Sequence, residues 1–254
     1  MDYGLKGKTA FISGGSHGIG LAIARSLSAE GCNLILSARD ENKLKNAKHE
    51  LESCGVLCDI IGGDVIQESD VSNIINFVLS LGGIDILINN VGGGGRWGTD
   101  DILNTPISVW RDVLEKNLWA AIKFTIAFLP IMVQKQWGRV ISITSIYGIE
   151  AGSRPWFNIA KSSEMVLMKN LSIKKEFVRK GITFNSVAPG DIMIPDTGWD
   201  ETQKKLDSLL DQYPMGKIGT PEDVSSIVVF LCSNMASYIN GASISVDGGQ
   251  SHAF

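Results

Sequence analysis

SGGSHGIG, residues 13–20, lies directly between the apolar run KTAFIS (8–13) and an amphipathic stretch over 18–30. Strand, glycine-rich turn and helix thus follow one another in the order that a dinucleotide-binding βα unit requires. Gly14 and Gly18 let the chain turn and come close to a pyrophosphate, and Gly20 permits close packing of helix on strand. Ser16, His17 and Ile19 complete the loop, where the free N–H groups and positive dipole of the helix start would face the anion. The spacing is G-x-x-x-G-x-G rather than the G-x-G-x-x-G of the ordinary fingerprint.

Outward from this motif, short apolar runs alternate with amphipathic ones. Strands are predicted at NLILSA (33–38), VLCDIIG (56–62), IDILIN (84–89), RVISIT (139–144), ITFNSVA (182–188) and ASISVD (242–247). Helices are predicted at 40–54, 68–80, 106–134 and 156–179, with a last one from Pro221. Strands that are apolar at consecutive positions, each followed by a helix, imply a parallel sheet covered on both faces. The expected fold class is α/β, a single doubly wound Rossmann-like domain over 1–254. Thr105-Pro106 and Thr220-Pro221 read as N-cap plus first helical residue, and Glu222 and Asp223 complement the dipole of the second helix. Pro130 is expected to kink or end the long helix.

Composition narrows the function. With 44% hydrophobic and 20% charged residues, the chain can bury a sizeable core. Its net charge of −4 comes from interspersed signs, which argues against nucleic-acid partners. No signal peptide and no unbroken apolar run of membrane-spanning length is read, so the expectation is a cytoplasmic protein without a membrane partner. Cys32, Cys54, Cys58 and Cys232 read as small hydrophobes, and His17, His49 and His252 lack ligand spacing, so no metal is expected.

Further marks follow the glycine loop in order: Asp64-Val65, Asn89-Asn90-Val91-Gly92, Asn117, Ser145, Lys161, Asn185, Pro189-Gly190 and Val246-Asp247-Gly248-Gly249. Together they resemble the short-chain dehydrogenase/reductase family over essentially the whole chain. The resemblance implies that Asp64 and Val65 bracket an adenine and that Asn89 to Gly92, Asn90 included, steady the sheet beside the cofactor. It also implies that Pro189, Gly190 and Ile192 hold the nicotinamide end. In the family's scheme a serine polarises the substrate oxygen and a tyrosine gives or takes the proton. A lysine four residues later acidifies that tyrosine and holds the ribose, and an asparagine supports the lysine through water. Ser145, Lys161 and Asn117 fit, but Phe157 stands four residues before Lys161, where a phenol would be.

Cofactor choice turns on the end of the second strand. In SARDENKL, Ala38 takes the place at which an acid would bind the ribose 2′-OH of NAD(H), and Arg39 follows it. A guanidinium there can fork onto a 2′-phosphate, so NADP(H) is favoured and NAD(H) remains possible. Asp40 could pair with Arg39 or reach the ribose, and His17 could add a polar contact.

Substrate-determining loops are expected at about 92–104, 149–157 and 191–217. Arg96, Trp97, Arg154, Trp156 and Trp199 there would suit a polar substrate with stackable faces, such as a sugar or nucleotide sugar, and Tyr147, two residues after Ser145, could line the substrate pocket. The leading expectation is NADP(H)-linked oxidoreduction of a secondary alcohol or ketone. Two alternatives stay open: a non-catalytic dinucleotide-binding protein, regulatory or paired with an active subunit, and an engineered tyrosine-to-phenylalanine variant of an active enzyme. By resemblance a homo-oligomer, tetramer or dimer, is expected through the long helices.

Overall fold

The computed structural model describes residues 2–94, 98–99, 101–194, 210–211 and 213–253. The chain alternates β1 (Thr9–Ser13), α1 (Gly18–Ala29), β2 (Asn33–Ala38), α2 (Glu41–Glu52), β3 (Cys58–Gly62), α3 (Glu68–Ser80) and β4 (Ile86–Asn89). The second half runs α4 (Ile107–Leu114), α5 (Ala120–Lys135), β5 (Gly138–Ile143), α6 (Pro155–Leu171), a single turn α7 (Lys175–Val178), β6 (Ile182–Pro189), α8 (Pro221–Cys232) and β7 (Ser243–Val246). The strands form one parallel sheet in the order β3-β2-β1-β4-β5-β6-β7, as the sequence predicts for a doubly wound Rossmann-like fold.

Strand alternation divides the core between the two faces. Ala10 and Ile12 of β1 point to the side covered by Ile23 and Leu27 of α1, Leu44 of α2 and Val224 and Val228 of α8. Phe11 points the other way, against Val71 and Ile74 of α3, Phe124 and Phe128 of α5 and Met168 of α6. Its ring meets those of Phe124 and Phe128 edge-on at 5.1 and 5.4 Å, so this side is pinned by aromatic packing as well as by buried area. On β1, Ile12 pairs with Leu36 of β2 and Ile88 of β4. The strand order reverses at this β1/β4 junction, which opens a crevice above the strand ends.

Several boundaries differ from the sequence expectation. Helix α4 starts at Ile107 after Pro106, and the Thr105 hydroxyl instead donates to the Asp101 carbonyl and accepts from Thr99 N–H, so Thr105 is not an N-cap. Helices α4 and α5 are continuous through a π-helical segment, Glu115–Trp119, and Pro130 lies inside α5 without ending it. As a whole, Ile107–Lys135 is long and apolar enough to cross a membrane by length and composition, although charged residues break its apolar runs. Phe124, Phe128 and Met132 from it are buried against the sheet. The helix expected over 156–179 ends at Leu171, and α7 follows as a separate turn. Thr220 and Asp223 do form the N-terminal cap of α8, each side chain accepting from the other's backbone N–H.

Candidate functional site

The glycine loop after β1 takes its shape from residues without a Cβ. Gly14 and Gly18 have φ of +70° and +55°, the left-handed region that glycine enters without steric cost. A Cβ on Gly20 would overlap the Gly14 carbonyl oxygen and sit 2.6 Å from Asn90 Nδ2, so only glycine fits this contact between helix and loop. Asn90 donates to the Ser13 and Gly14 carbonyls at 2.9 and 3.1 Å, tying the end of β4 to the loop. The start of α1 therefore faces the crevice with its N–H groups directed at an incoming anion.

A cleft of about 1030 Å³ opens here, large enough for a dinucleotide and a small substrate. It is lined by Gly14, His17, Gly18, Ile19, Gly20, Arg39, Asp64, Val65, Asn90, Gly92, Pro189, Gly190 and Ile192, all expected at a cofactor site. Ser145, Tyr147, Arg154, Phe157 and Lys161 line the same space. Ser16 lies behind the loop, buried, with its hydroxyl 3.3 Å from His17 Nδ1.

At the β2 end of the cleft Arg39 is exposed, with Nη1 3.7 Å from Asp64 Oδ2. Asp40, weighed as a partner for Arg39 or the ribose, instead caps α2 by accepting from Asn42 and Lys43 N–H at 3.0 Å each. The His17 imidazole is held below its ordinary range, first by desolvation and then by Lys43, with Asp40 opposing and Arg39 and Lys116 adding to the effect. Of the charged side chains acting on His17, Lys43, Arg39 and Lys116 are cationic and Asp40 is anionic.

The other end of the cleft is built from β5, the loop after it and α6. Ser145 caps the short turn Ile146–Gly148, its Oγ accepting from Tyr147 N–H at 3.2 Å. Burial, followed by Asp191 and Glu150, pushes the Tyr147 phenol above its ordinary pKa. Lys161 is 3% exposed, and its Nζ donates to the Ile143 carbonyl at 3.0 Å and to Glu164 Oε1 at 2.9 Å. Phe157 is half-buried and packs on the small cluster Val113, Trp156 and Ala160.

Asn117 stands in the π-helical segment, a departure from α geometry that recurs at functional sites. Its Nδ2 donates to the Val113 and Gly93 carbonyls at 2.7 and 2.8 Å, and its Oδ1 accepts from Gly93 N–H at 3.0 Å. It thereby clamps the glycine-rich loop beside Lys161, and a Cβ at Gly92 would meet both Asn117 Oδ1 and Lys161 Nζ within 3 Å.

Not every expected substrate residue reaches the cleft. Trp156 is 1% exposed, meets Trp110 edge-on and donates to the Gly94 carbonyl at 3.2 Å, so it is a buried anchor for the loop rather than a contact for substrate. Arg154 lines the cleft and also donates to the Gly98 carbonyl at 2.8 Å. Arg96, Trp97 and Trp199 lie outside the described residues.

Lys116, Asp191 and Glu164 are among the residues that escaped the sequence reading. Lys116 lines the cleft one residue before Asn117, a place the sequence offers no reason to single out. Asp191 lines it just after Pro189-Gly190, its carboxylate held by the Tyr213 hydroxyl at 2.6 Å and by Gln250 Nε2 at 3.1 Å, both distant in sequence. Glu164 could have been found from its i, i+3 spacing to Lys161 on one helix.

Comparison with known proteins agrees with this geometry. A family model described as enoyl-(acyl carrier protein) reductase matches residues 14–251. The chain is 32% identical to the 3-oxoacyl-(acyl-carrier-protein) reductase FabG of Aquifex aeolicus, over 98% of this chain and 99% of that protein. It is 31% identical to dehydrogenase/reductase SDR family member 4 of Rattus norvegicus, over 96% of this chain and 88% of that one. Among solved structures, L-sorbose reductase of Gluconobacter frateurii, complexed with NADPH and L-sorbose, superimposes with a TM-score of 0.91 at 32% identity, covering 100% of both chains.

Proposed function

This chain belongs to the short-chain dehydrogenase/reductase family, and on that footing we propose that it is an NADP(H)-linked oxidoreductase of a polar secondary alcohol or ketone, a sugar or nucleotide sugar. The observation that carries the reading is the single cleft joining the glycine loop and Arg39 to Ser145, Tyr147 and Lys161. Two features support dinucleotide binding: the contact at Gly20 leaves no room for a side chain, and the exposed Arg39 guanidinium lines the cleft. The relative complexed with NADPH and L-sorbose supports both the cofactor and a polyhydroxylated substrate.

When bound, the dinucleotide supplies or accepts the hydride. Gly14, Gly18 and the α1 N-terminus would hold its pyrophosphate, Arg39 its 2′-phosphate, Asp64 and Val65 the adenine, and Pro189, Gly190 and Ile192 the nicotinamide end. Lys161 would hold the nicotinamide ribose, with Asn117 fixing the loop beside it. Ser145 orients the substrate oxygen. Phe157 occupies the position of the family's proton donor and its ring has no proton to give, so proton transfer is assigned to Tyr147, the one phenol lining the cleft among the described residues. Like any phenol it is protonated at neutral pH, the form needed to donate to a developing alkoxide, and burial with Asp191 and Glu150 makes it a weaker acid than a free tyrosine.

Tyr147→Phe should lower the rate of NADPH-dependent ketone reduction about 10²-fold or more, within the usual worth of a positioned acid, while leaving NADPH affinity unchanged. An unchanged rate would remove Tyr147 from the reaction. A second reading, a dinucleotide-binding protein without turnover, is favoured by Phe157 alone; it is the outcome if NADPH binds and no carbonyl is reduced. A homo-oligomer is supported by apolar side chains on the outer faces of the long helices, Ile107, Trp119, Ile126, Ile159 and Val166, each 48–68% exposed.

A further inference from the structure

Glu164 is a carboxyl group 1% exposed, one turn beyond Lys161 on α6. Its Oε1 accepts from Lys161 Nζ at 2.9 Å, and its buried Oε2 has no hydrogen-bond partner. Two such side chains, 4% and 1% exposed, form a closed pair within the protein. Burying a carboxylate is costly unless a cation compensates it, and among the described residues the cation bonded to this one is Lys161.

The elements around the pair add little charge. Strand β6 carries no titratable residue, and the one on β5, Arg139, is bonded at the far end of the strand to the Gly181 and Ser233 carbonyls. Arg111 and Asp112 on α4 are exposed, and Glu115 in the π-helical segment is bonded to Lys123. Lys116 from that segment and the Tyr147 phenol face the cleft.

We propose that Glu164 is the buried counter-ion of Lys161 and offsets the charge that the lysine would otherwise present to position 157, which accommodates an apolar ring. The inference deepens the oxidoreductase reading above and rests on it for the role of the lysine. With one proton between them the pair is neutral; burial pushes the Glu164 carboxyl up and the Lys161 contact holds it down. A phenol placed four residues before Lys161 on the same helix would then not be acidified, and Phe157→Tyr alone would not recreate a proton donor. Glu164 acts through Lys161, as a positioning residue that sets the charge the lysine presents to the cleft.

The test is to introduce a phenol at position 157 and read its ionisation by tyrosinate ultraviolet absorbance, as the difference from the parent protein, which has four tyrosines. In Phe157→Tyr the added phenol should titrate at or above the ordinary value of about 10. Adding Glu164→Gln, which keeps the shape and removes the charge, should lower that value by about one to three units, the effect of an uncompensated neighbouring cation. Equal values in the two variants, or a depressed value already in Phe157→Tyr, would overturn the proposal. Should Glu164→Gln fail to fold, Lys161→Met with Glu164→Met in the Phe157→Tyr background removes both charges. A neutral pair predicts no change there, and a shift of more than about one unit contradicts it. The titration requires neither cofactor nor turnover, so absence of carbonyl reduction would count against the proposed function and not against this pairing.

Discussion

Replacing Arg39 by alanine isolates the side chain proposed to set cofactor preference. The guanidinium is 65% exposed and its one ionic contact among the described residues, Nη1 to Asp64 Oδ2, is 3.7 Å long, so little is lost when it swings onto a phosphate. A forked, charge-assisted pair contributes about 1.5–3 kcal/mol, and solvent exposure puts Arg39 at the low end. At about 1.4 kcal/mol, Arg39→Ala should weaken NADPH binding roughly tenfold. Asp64 would be left beside the 2′-phosphate without its cation, which adds to the loss. NADH, without that phosphate, should change by less than about threefold, some 0.6 kcal/mol. Calorimetric titration of both variants at fixed salt reads the difference directly, and the preference should shrink as salt rises. An equal loss for both cofactors, or a parent protein that binds NADH as tightly as NADPH, would refute the reasoning.

Two other changes probe the frame around the site. Gly20→Val should abolish detectable NADPH binding and cost about 1–3 kcal/mol of stability in chemical denaturation, because its side chain must displace the Gly14 carbonyl and the Asn90 amide; retained binding would mean that the loop is not held as described. Thr220→Ala should cost about 1 kcal/mol by removing the cap of α8. Backbone donation from Thr220, followed by its hydroxyl, holds the Asp223 carboxyl below the usual range, so this contribution is present above pH ~4 and lost as pH falls through the depressed value. The acid limb of the stability curve should therefore flatten in Asp223→Asn, and an unchanged limb would place the acid sensitivity elsewhere.

The fold was legible because the pattern repeats: each strand from β1 to β6 is an apolar run, and the glycine loop lies where the first of them meets a helix. Boundaries were less legible where side chains bind backbone. Thr105 looks like an N-cap until Thr99 and Asp101 are brought to it, and the π-helical segment around Asn117 depends on the Gly93 loop folding over it. In the site, most residues read from local motifs line the cleft, with Ser16 and Asn117 outside its lining, whereas Asp191 is held there by Tyr213 and Gln250, which no local pattern connects to it. Trp156 was misjudged for a related reason. An aromatic residue near a substrate loop looks available until Trp110 and Gly94 close over it. Glu164 shows the converse, a helical spacing visible in the sequence whose meaning depends on burial.

The central claim is turnover, and the most direct measurement is oxidation of NADPH by the purified protein, followed by absorbance at 340 nm against a panel of ketoses, nucleotide-linked keto sugars and β-keto thioesters. The account predicts oxidation with at least one polyhydroxylated ketone, faster with NADPH than with NADH and lost in Tyr147→Phe. Saturable NADPH binding with no oxidation on any member of the panel would contradict it and identify the chain as a binding protein.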